Sequence, residues 1–258
     1  MRRAAYITTS WDDGHPLDLR VAELLARYGL QGTFYVPRTA DTSTMTATQL
    51  RDLGSAFEIG AHTVHHVDLT AATDQQVREE LVEAKAWIEA TTGASCPMFC
   101  PPKGRFSRRH LPLVREAGYL GVRTVELLSI DLPRREAGLL LMPTTIQAYP
   151  HGWLSYARNI VKRGAWANLW RFVLHGRSSD WTTLARSYLD LVLDQGGVFH
   201  LWGHSWEVEH TNQWRRLEEV LRHLSQFTNQ APGLSNGQVC QAVAGGSQEA
   251  TVGSRLVP

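Results

Sequence analysis

Two clusters of residues near the N-terminus have side chains that could perform chemistry. In the first, Asp12 and Asp13 stand next to each other and are followed by Gly14. Adjacent carboxylates repel each other unless a cation or a proton relieves the repulsion. The pair therefore indicates either a cation site or a solvated turn in which Asp and Gly serve the backbone.

The second cluster contains His62, His65 and His66, directly after a predicted strand. His62 and His66 are spaced i and i+4, so that one helical turn would direct both imidazoles at one point. A single histidine is more often a polar core residue, but a pair with this spacing favours a metal site. We expect His65 to point away from that site or to support it from outside.

Each cluster strengthens the interpretation of the other, because the carboxyl ends of parallel strands share one rim of an α/β fold. Asp13, His62 and His66 would supply three metal ligands and leave positions open for water and substrate, as catalytic sites do. Asp12 is then the candidate general base. Zinc is the ion expected from these ligand types, with Co, Ni or Fe as alternatives.

The elements that must position these residues alternate between strand and helix. Hydrophobic spacing predicts strands over residues 4–9, 32–36, 57–61, 97–100, 120–125, 141–148 and 197–202. Helices are predicted over residues 18–28, 48–53, 74–91, 111–117, 153–174, 181–193 and 212–227. This alternation favours an α/β fold, which we expect to be a distorted (β/α) barrel with about seven parallel strands.

The C-terminal end of the chain has a different composition. Residues 229–258 are rich in Gly, Ser, Gln and Ala and have no periodic apolar pattern. We therefore expect a catalytic domain over residues 1–228, followed by a flexible tail that ends in the remnant of a purification tag.

Composition limits the classes of partner. The formal net charge of the 258 residues is +1, which gives no reason to expect binding to nucleic acid. No apolar run reaches the roughly 18 residues that span a membrane, and the first residues lack a signal-peptide core, so we expect a cytoplasmic protein. Three cysteines without a C-x-x-C pair predict neither a disulfide framework nor structural zinc. The oligomeric state is left open.

The two clusters together resemble motifs of the polysaccharide deacetylases, the NodB-like carbohydrate esterase family 4. Ser10-Trp11-Asp12-Asp13-Gly14 is similar to the first family motif, T-F-D-D-G, in which the first Asp is the base and the second a metal ligand. His62-Thr63-Val64-His65-His66 matches the second motif, H-[ST]-x-x-H, whose outer histidines complete the metal site. The resemblance covers roughly residues 7–227 and implies a NodB-like deacetylase fold.

The third family motif, R-x-P-x-G, aligns with Cys100-Pro101-Pro102-Lys103-Gly104 but has lost its arginine. In the family that arginine orients the catalytic Asp. Arg123, after the next predicted strand, could deliver a guanidinium instead, and a structure with Arg123 far from Asp12 would exclude this. Cys100 either packs as a small hydrophobic residue or has a role in the site. A backbone N–H near Pro102 to Gly104 would help to stabilise the oxyanion.

The remaining motifs are harder to align. The fourth motif, an Asp-Trp pair, has no clear counterpart, and Asp131 and Trp153 are the candidates. The fifth ends in Leu-x-His and aligns with residues 197–207. Its histidine, which protonates the leaving amine, would be His204, with His200 as the alternative or else as a hydrogen-bonded core residue. The aromatic residues near this rim could stack on a sugar or belong to the core: Trp11, Tyr149, Trp202 and Trp206.

The resemblance implies a metal-dependent hydrolase that removes an N-acyl group, expected to be N-acetyl, from an amino sugar in an oligo- or polysaccharide. One alternative keeps the fold and the metal site but acts on a small N-acyl or N-formyl sugar conjugate or on a non-sugar amide. Another is a non-catalytic carbohydrate- or metal-binding protein on a degenerate barrel. Hydrolysis of acetylated oligomers, but not of small amides, would distinguish the first reading from the second.

Overall fold

The structure is a computed structural model that describes residues 4–152, 158, 166–175 and 178–253. Its strands are β1 (Ala5–Asp12), β2 (Thr33–Val36), β3 (Glu58–Ala61), β4 (Met98–Phe99), β5 (Gly121–Arg123), β6 (Arg134–Glu136), β7 (Leu139–Met142), β8 (Ile146–Gln147) and β9 (Gly197–Gly203).

The helices are α1 (Asp18–Arg27), α2 (Ala47–Gly54), α3 (Asp74–Thr92), α4 (Leu111–Glu116), α5 (Trp166–His175), α6 (Trp181–Gln195), α7 (Ser205–His210), α8 (Trp214–Ser225) and α9 (Asn236–Gly253). Two short 3₁₀ helices lie at Pro102–Gly104 and Arg108–His110. Capping boxes explain why α2 and α3 begin where they do, because Thr46 pairs with Gln49 and Thr73 with Gln76. Much of the helical region predicted over residues 153–174 lies outside the described residues. Among the helices that are described, none combines the length and the apolar character that crossing a bilayer requires.

The strands form one sheet in the order β6-β7-β5-β4-β3-β2-β1-β9-β8, and every neighbouring pair is parallel except β6 with β7. β7 pairs with β5 and β8 pairs with β9, towards opposite ends of this order. Only residues 143–145 separate β7 from β8 along the chain, a link that spans at most roughly 14 Å. The sheet must therefore curl until its two ends almost meet.

This curled sheet confirms the predicted α/β fold and distorted barrel. The described part holds nine strands rather than seven. The strand predicted over residues 141–148 is wrong as a single element, because the chain leaves one end of the sheet after Met142 and joins the other at Ile146. Pro143 lies in this crossing and lacks the N–H that a continuing strand would donate.

The inner face of β1 is polar. Thr8, Ser10 and Asp12 alternate along the strand and so share one face. The Thr8 hydroxyl accepts a hydrogen bond from Asn236 Nδ2 at 2.8 Å, and the Ser10 hydroxyl lies 2.9 Å from His200 Nε2. A smaller apolar cluster completes the interior, while the larger core packs the other face of the sheet against the helices.

The flexible tail predicted from residue 229 is wrong for the part that the structure describes. Ile7 exchanges backbone hydrogen bonds with Pro232 and Leu234, at 3.1 and 2.9 Å. Helix α9 follows, and its Val239 and Cys240 are buried in the smaller apolar cluster. The helix was missed because it packs through few large apolar residues, so its sequence carries little periodic signal. Residues 254–258, the predicted tag remnant, lie outside the described residues.

Candidate active site

The predicted site residues come from the carboxyl ends of neighbouring strands. Asp12 ends β1 and Arg123 ends β5, while His62 and His204 each follow a strand, β3 and β9. These ends surround one cleft of about 430 Å³. The cleft is lined by Asp12, Asp13, His62, His66, Lys103, Gly104, Val125, Leu127, Gln147, His151, Trp202, His204 and Trp206.

Asp13, His62 and His66 form a compact set of ligand atoms. Asp13 Oδ1 lies 3.5 Å from His62 Nε2 and 3.3 Å from His66 Nε2. His62 Nδ1 donates to the carbonyl of Cys100 at 2.7 Å, which leaves the lone pair of Nε2 directed at Asp13. Trp206 Nε1 donates to the other Asp13 oxygen at 3.0 Å. The three residues therefore fit a divalent cation, and as a three-ligand set they leave further positions open.

The two histidines are brought together by a loop and not by the helical turn expected from their spacing, so that expectation is wrong. Thr63 and His66 both have left-handed φ angles, 63° and 53°, and Asp13 has a φ of 76°. Such conformations are strained for residues with a Cβ and concentrate at functional sites. Glu80 holds the loop by accepting the N–H groups of Val64 and His65, at 2.7 and 3.0 Å.

His65 points away from the cluster, in agreement with the expectation. Its imidazole is exposed, and its Nδ1 lies 2.6 Å from Glu80 Oε1. The carboxylate that fixes the loop backbone therefore also holds this imidazole, and His65 does not compete with His62 and His66 as a ligand.

A second set, Asp12, His62 and Cys100, is also close enough to bind an ion. Burial raises the pKa of the Cys100 thiol well above its usual value, so the thiolate that binds metals is disfavoured. Asp12 also already faces a cation, Arg123. The set of Asp13, His62 and His66 is the better metal site on both counts.

Asp12 and Arg123 form a buried ion pair, in which Arg123 Nη2 donates to Asp12 Oδ1. The Arg123 guanidinium lies 5.3 Å from the Tyr35 ring and 4.7 Å from the Trp202 ring. Burial alone would lower the pKa of Arg123, but the Asp12 charge raises it above its ordinary value. Arg123 is therefore not far from Asp12, the finding that would have excluded it, and its guanidinium contacts the candidate base directly.

Cys100 occupies the position at which the family motif has arginine. Its side chain is fully buried, with Sγ 4.0 Å from Asp12 Oδ2. Its carbonyl orients His62, as described above. Arg123 reaches Asp12 from the neighbouring strand β5 instead.

His204 lies across the cleft from the two aspartates. Its Nε2 is 4.0 Å from Asp12 Oδ2 and 3.9 Å from Asp13 Oδ2, while its Nδ1 donates to Glu207 Oε2 at 2.7 Å. Burial would lower the pKa of His204, but the hydrogen bond to Glu207 and the charge of Asp12 outweigh it and raise the pKa to about 9. His204 is therefore protonated at neutral pH in the metal-free protein.

His200 does not reach the cleft, so the alternative of His200 as the acid is wrong. Its two ring nitrogens lie 2.9 Å from Ser10 Oγ and 2.9 Å from the Pro143 carbonyl. Burial lowers the pKa of His200 to about 3, and the Arg123 charge acts in the same direction. His200 is the hydrogen-bonded core residue that the sequence also allowed.

Glu207 is a site residue that sequence analysis missed, as it also missed Gln147 and His151, which line the cleft. It lies one helical turn after His204, a spacing of i and i+3 that could have indicated the pair. Gln147 Nε2 donates at 3.0 Å to Glu207 Oε2, the same oxygen that His204 contacts, and Gln147 Oε1 lies 2.8 Å from His151 Nε2.

Neither candidate for the Asp-Trp pair of the fourth motif is placed in the cleft by the described residues. Asp131 pairs with Arg171 at 2.8 Å. It lies near Ala4 and Gly197, at the amino ends of β1 and β9, whereas the cleft lies at their carboxyl ends. Asp131 is therefore wrong as a site residue, and Trp153 lies outside the described residues.

The loop after β4 contributes backbone groups to the cleft. Gly104 has a φ of 60°, and a Cβ on it would lie 2.2 Å from Val125 Cγ2, so glycine is required there. Pro102 has no N–H, and the Gly104 N–H donates to the Pro101 carbonyl at 2.9 Å. Within Pro102–Gly104, the Lys103 N–H therefore remains as a candidate donor to an oxyanion, and Lys103 lines the cleft.

The four aromatic residues expected near the rim make different contacts. Trp206 bonds Asp13, and Trp202 packs on Arg123. Trp11 is completely buried in the larger core and cannot stack on a substrate. The Tyr149 ring lies 4.8 Å from that of His151.

Comparison with known proteins agrees with these features. The sequence model of the polysaccharide deacetylase family matches residues 2–122. YxkH of Bacillus subtilis (strain 168), a candidate polysaccharide deacetylase, is 24% identical over 123 residues, which are 46% of this chain and 44% of YxkH. PdaA of the same organism, a peptidoglycan-N-acetylmuramic acid deacetylase, is 29% identical over 102 residues, which are 39% of this chain and 38% of PdaA. Each match thus spans less than half of the relative's length.

The fold likeness extends much further than the sequence likeness. A candidate polysaccharide deacetylase from Mycobacterium smegmatis superposes with a TM-score of 0.69 at 15% identity, over 96% of this chain and 92% of that one. The matched residues include both motifs around Asp12, Asp13, His62 and His66, and the fold agrees beyond them. In sequence, residues 2–122 are thus similar to the polysaccharide deacetylase family, and the likeness in fold extends over nearly the whole chain.

Proposed function

We propose that this protein is a metal-dependent hydrolase that removes the N-acetyl group from an amino sugar within an oligo- or polysaccharide. The observation that carries the proposal is the arrangement of one cleft: the ion-paired carboxylate of Asp12 lies beside three residues that could hold a metal ion, and His204, whose pKa is raised, faces both aspartates. Amide hydrolysis needs a base for water, stabilisation of an oxyanion and an acid for the amine. Each of these has a candidate group here.

Asp13, His62 and His66 would hold the ion. Zinc suits this ligand set best, and cobalt, nickel or iron are alternatives. Such an ion supplies Lewis-acid activation of the acyl carbonyl and of water. Trp206 and the Cys100 carbonyl keep Asp13 and His62 oriented for this task.

Asp12 acts as the base that accepts the proton of the attacking water. Arg123 donates to Asp12 and so fixes the direction of its carboxylate. The Lys103 N–H donates to the oxygen of the tetrahedral intermediate. His204 then gives the proton on Nε2 to the departing amine, and Glu207 holds Nδ1 so that Nε2 faces the cleft.

Acetate release from acetylated chito-oligosaccharides and peptidoglycan glycans, compared with monomeric and non-sugar amides, tests this proposal. We expect wild-type turnover on the glycans and a loss of roughly 10²–10⁴-fold in kcat for Asp12→Asn, the usual contribution of a positioned base. Asp52→Asn, an exposed residue of α2, is the matched control and should retain activity. Unchanged turnover in Asp12→Asn would exclude Asp12 as the base, and hydrolysis of small amides alone would reassign the substrate.

A further inference from the structure

Lys103 brings a cationic side chain to the cleft that the proposed mechanism does not use. Its side chain is exposed and lines the same cleft as the metal set and His204. Within the described part of the chain, no carboxylate forms an ion pair with its ammonium. The nearby carboxylates are already engaged, since Asp12 faces Arg123 and Glu207 faces His204.

The backbone at Lys103 indicates that its position is held and not accidental. Its φ of 57° lies in the left-handed region, where glycine or asparagine would fit with less strain. Gly104, the next residue, also has a left-handed φ, 60°, and a Cβ on it would meet Val125. This turn therefore places an exposed, cationic side chain in the lining of the cleft.

Much of the cleft lining carries no negative charge that could pair with the Lys103 ammonium. Val125, Leu127, Trp202 and Trp206 make this part of the lining apolar or aromatic. A lysine ammonium has three donors and no acceptor, so its natural partner in such a place is an anionic oxygen on the bound molecule.

We propose that Lys103 binds an anionic substituent of the sugar, a carboxylate or a phosphate, and so selects acidic N-acetylated glycans over neutral ones. This inference rests on the proposed deacetylase function and names the substrate class for it. The charge-assisted hydrogen bond would form beside the scissile amide, in the cleft that holds the reacting groups.

Matched substrates test the inference through a ratio of rates. The acidic glycan alternates N-acetylglucosamine with N-acetylmuramic acid, and its neutral partner is the same glycan with each carboxylate converted to a primary amide. A chito-oligosaccharide and its 6-phosphate form the second pair, which distinguishes phosphate from carboxylate. We expect wild-type kcat/KM for acetate release to favour at least one anionic form by roughly 10- to 100-fold, the worth of one hydrogen bond to a charged group.

Variants assign that preference to the side chain. Lys103→Met keeps the length of the side chain and the strained backbone, and should bring the ratio of anionic to neutral rates close to one. Lys103→Arg should retain the preference, and Lys103→Glu should reverse it. Arg105→Met is the matched control, because Arg105 is a neighbouring cation that pairs with Asp68 at 3.0 Å outside the cleft lining. It should keep the wild-type ratio.

The outcomes separate this inference from the function on which it rests. Acetate release from all glycans without a charge preference, or a preference that Lys103→Met leaves unchanged, would overturn the role of Lys103 alone. No acetate from any glycan would overturn the proposed function itself.

Discussion

Arg123 and Asp12 share a buried position in which each charge depends on the other. Both side chains are almost fully inaccessible, and Arg123 Nε and Nη1 have no hydrogen-bond partner among the described residues. Aromatic rings cover the guanidinium, so Asp12 is its principal counter-charge. Removing one member of such a pair leaves an uncompensated buried charge, which costs more than removing both.

Replacement of Arg123 by Met should therefore lower the free energy of unfolding by about 3–5 kcal/mol. Adding Asp12→Asn to that variant should recover part of the loss, because the remaining carboxylate charge disappears. Urea denaturation of the two single variants and the double variant measures this coupling. Arg134→Met, at an exposed ion pair with Glu126, should change stability by less than about 1 kcal/mol. Strictly additive effects of Asp12→Asn and Arg123→Met would contradict the account.

His204 should titrate at an unusually high pH in the metal-free protein. Its pKa is raised to about 9 from an ordinary value of 6.5. The folded state therefore binds a proton that the unfolded state releases between these values. The resulting stabilisation is fully present below pH 6.5 and is lost as the pH rises through about 9.

NMR titration of the His204 ring in metal-free protein measures this pKa directly. Glu207→Gln should move the midpoint to lower pH, because the hydrogen bond and charge that favour the imidazolium are weakened. Glu209→Gln, on the same helix, gives the comparison. A midpoint near 6.5 in the wild type, or one that Glu207→Gln leaves in place, would show that Glu207 does not control His204.

Helix α9 is the element whose role differs most from its sequence pattern. Asn236 begins it and joins two strands, because its side chain donates to Thr8 and accepts from the Tyr35 hydroxyl at 2.9 Å. Its own N–H donates to Thr33 Oγ1 at 2.9 Å. Glu58 then accepts from Ser235 Oγ and the Gly237 N–H, at 2.8 and 2.9 Å. The helix is thus fastened to β1, β2 and β3.

Asn236→Ala should destabilise the fold by roughly 1–3 kcal/mol or more, since it leaves the buried Thr8 and Tyr35 hydroxyls without their partners. Gln241→Ala, an exposed position on the same helix, should change stability by less than about 0.5 kcal/mol. The midpoints of urea denaturation of the two variants measure this difference in stability. Equal midpoints would mean that the C-terminal segment is as loosely held as its composition indicates.

Local pattern predicted most of the elements and much of the site. Strand-helix alternation indicated the barrel, and the strand ends indicated that Asp12, His62 and His204 converge. Local pattern could not predict contacts that depend on long-range packing. The left-handed loop at Thr63 and His66 is held by Glu80, and α9 is held by single polar contacts instead of an apolar stripe. His204 and Glu207 are close in sequence, but the sequence does not show that His204 also lies beside Asp12.

At the scale of the whole molecule, the curled sheet gathers groups that are distant in sequence. β9, β1, β2, β3, β4 and β5 lie side by side, and the residues at or just after their carboxyl ends bring the candidate acid, base, metal ligands and backbone donor to one rim. The smaller apolar cluster and α9 fill the interior below that rim. The strand ends place Asp12 and Arg123, while the loops that follow the strands place His62, His66 and Lys103 at the same rim.

The central claim is that Asp13, His62 and His66 hold a divalent ion while Asp12 acts beside it. Metal analysis of the purified protein after dialysis against zinc tests this most directly, in wild type, Asp12→Asn, Asp13→Ala and His66→Ala. The account predicts about one ion per chain in wild type and Asp12→Asn, and a 10-fold or greater loss of affinity in the other two variants. Metal retained by Asp13→Ala and His66→Ala, or lost only from Asp12→Asn, would contradict it.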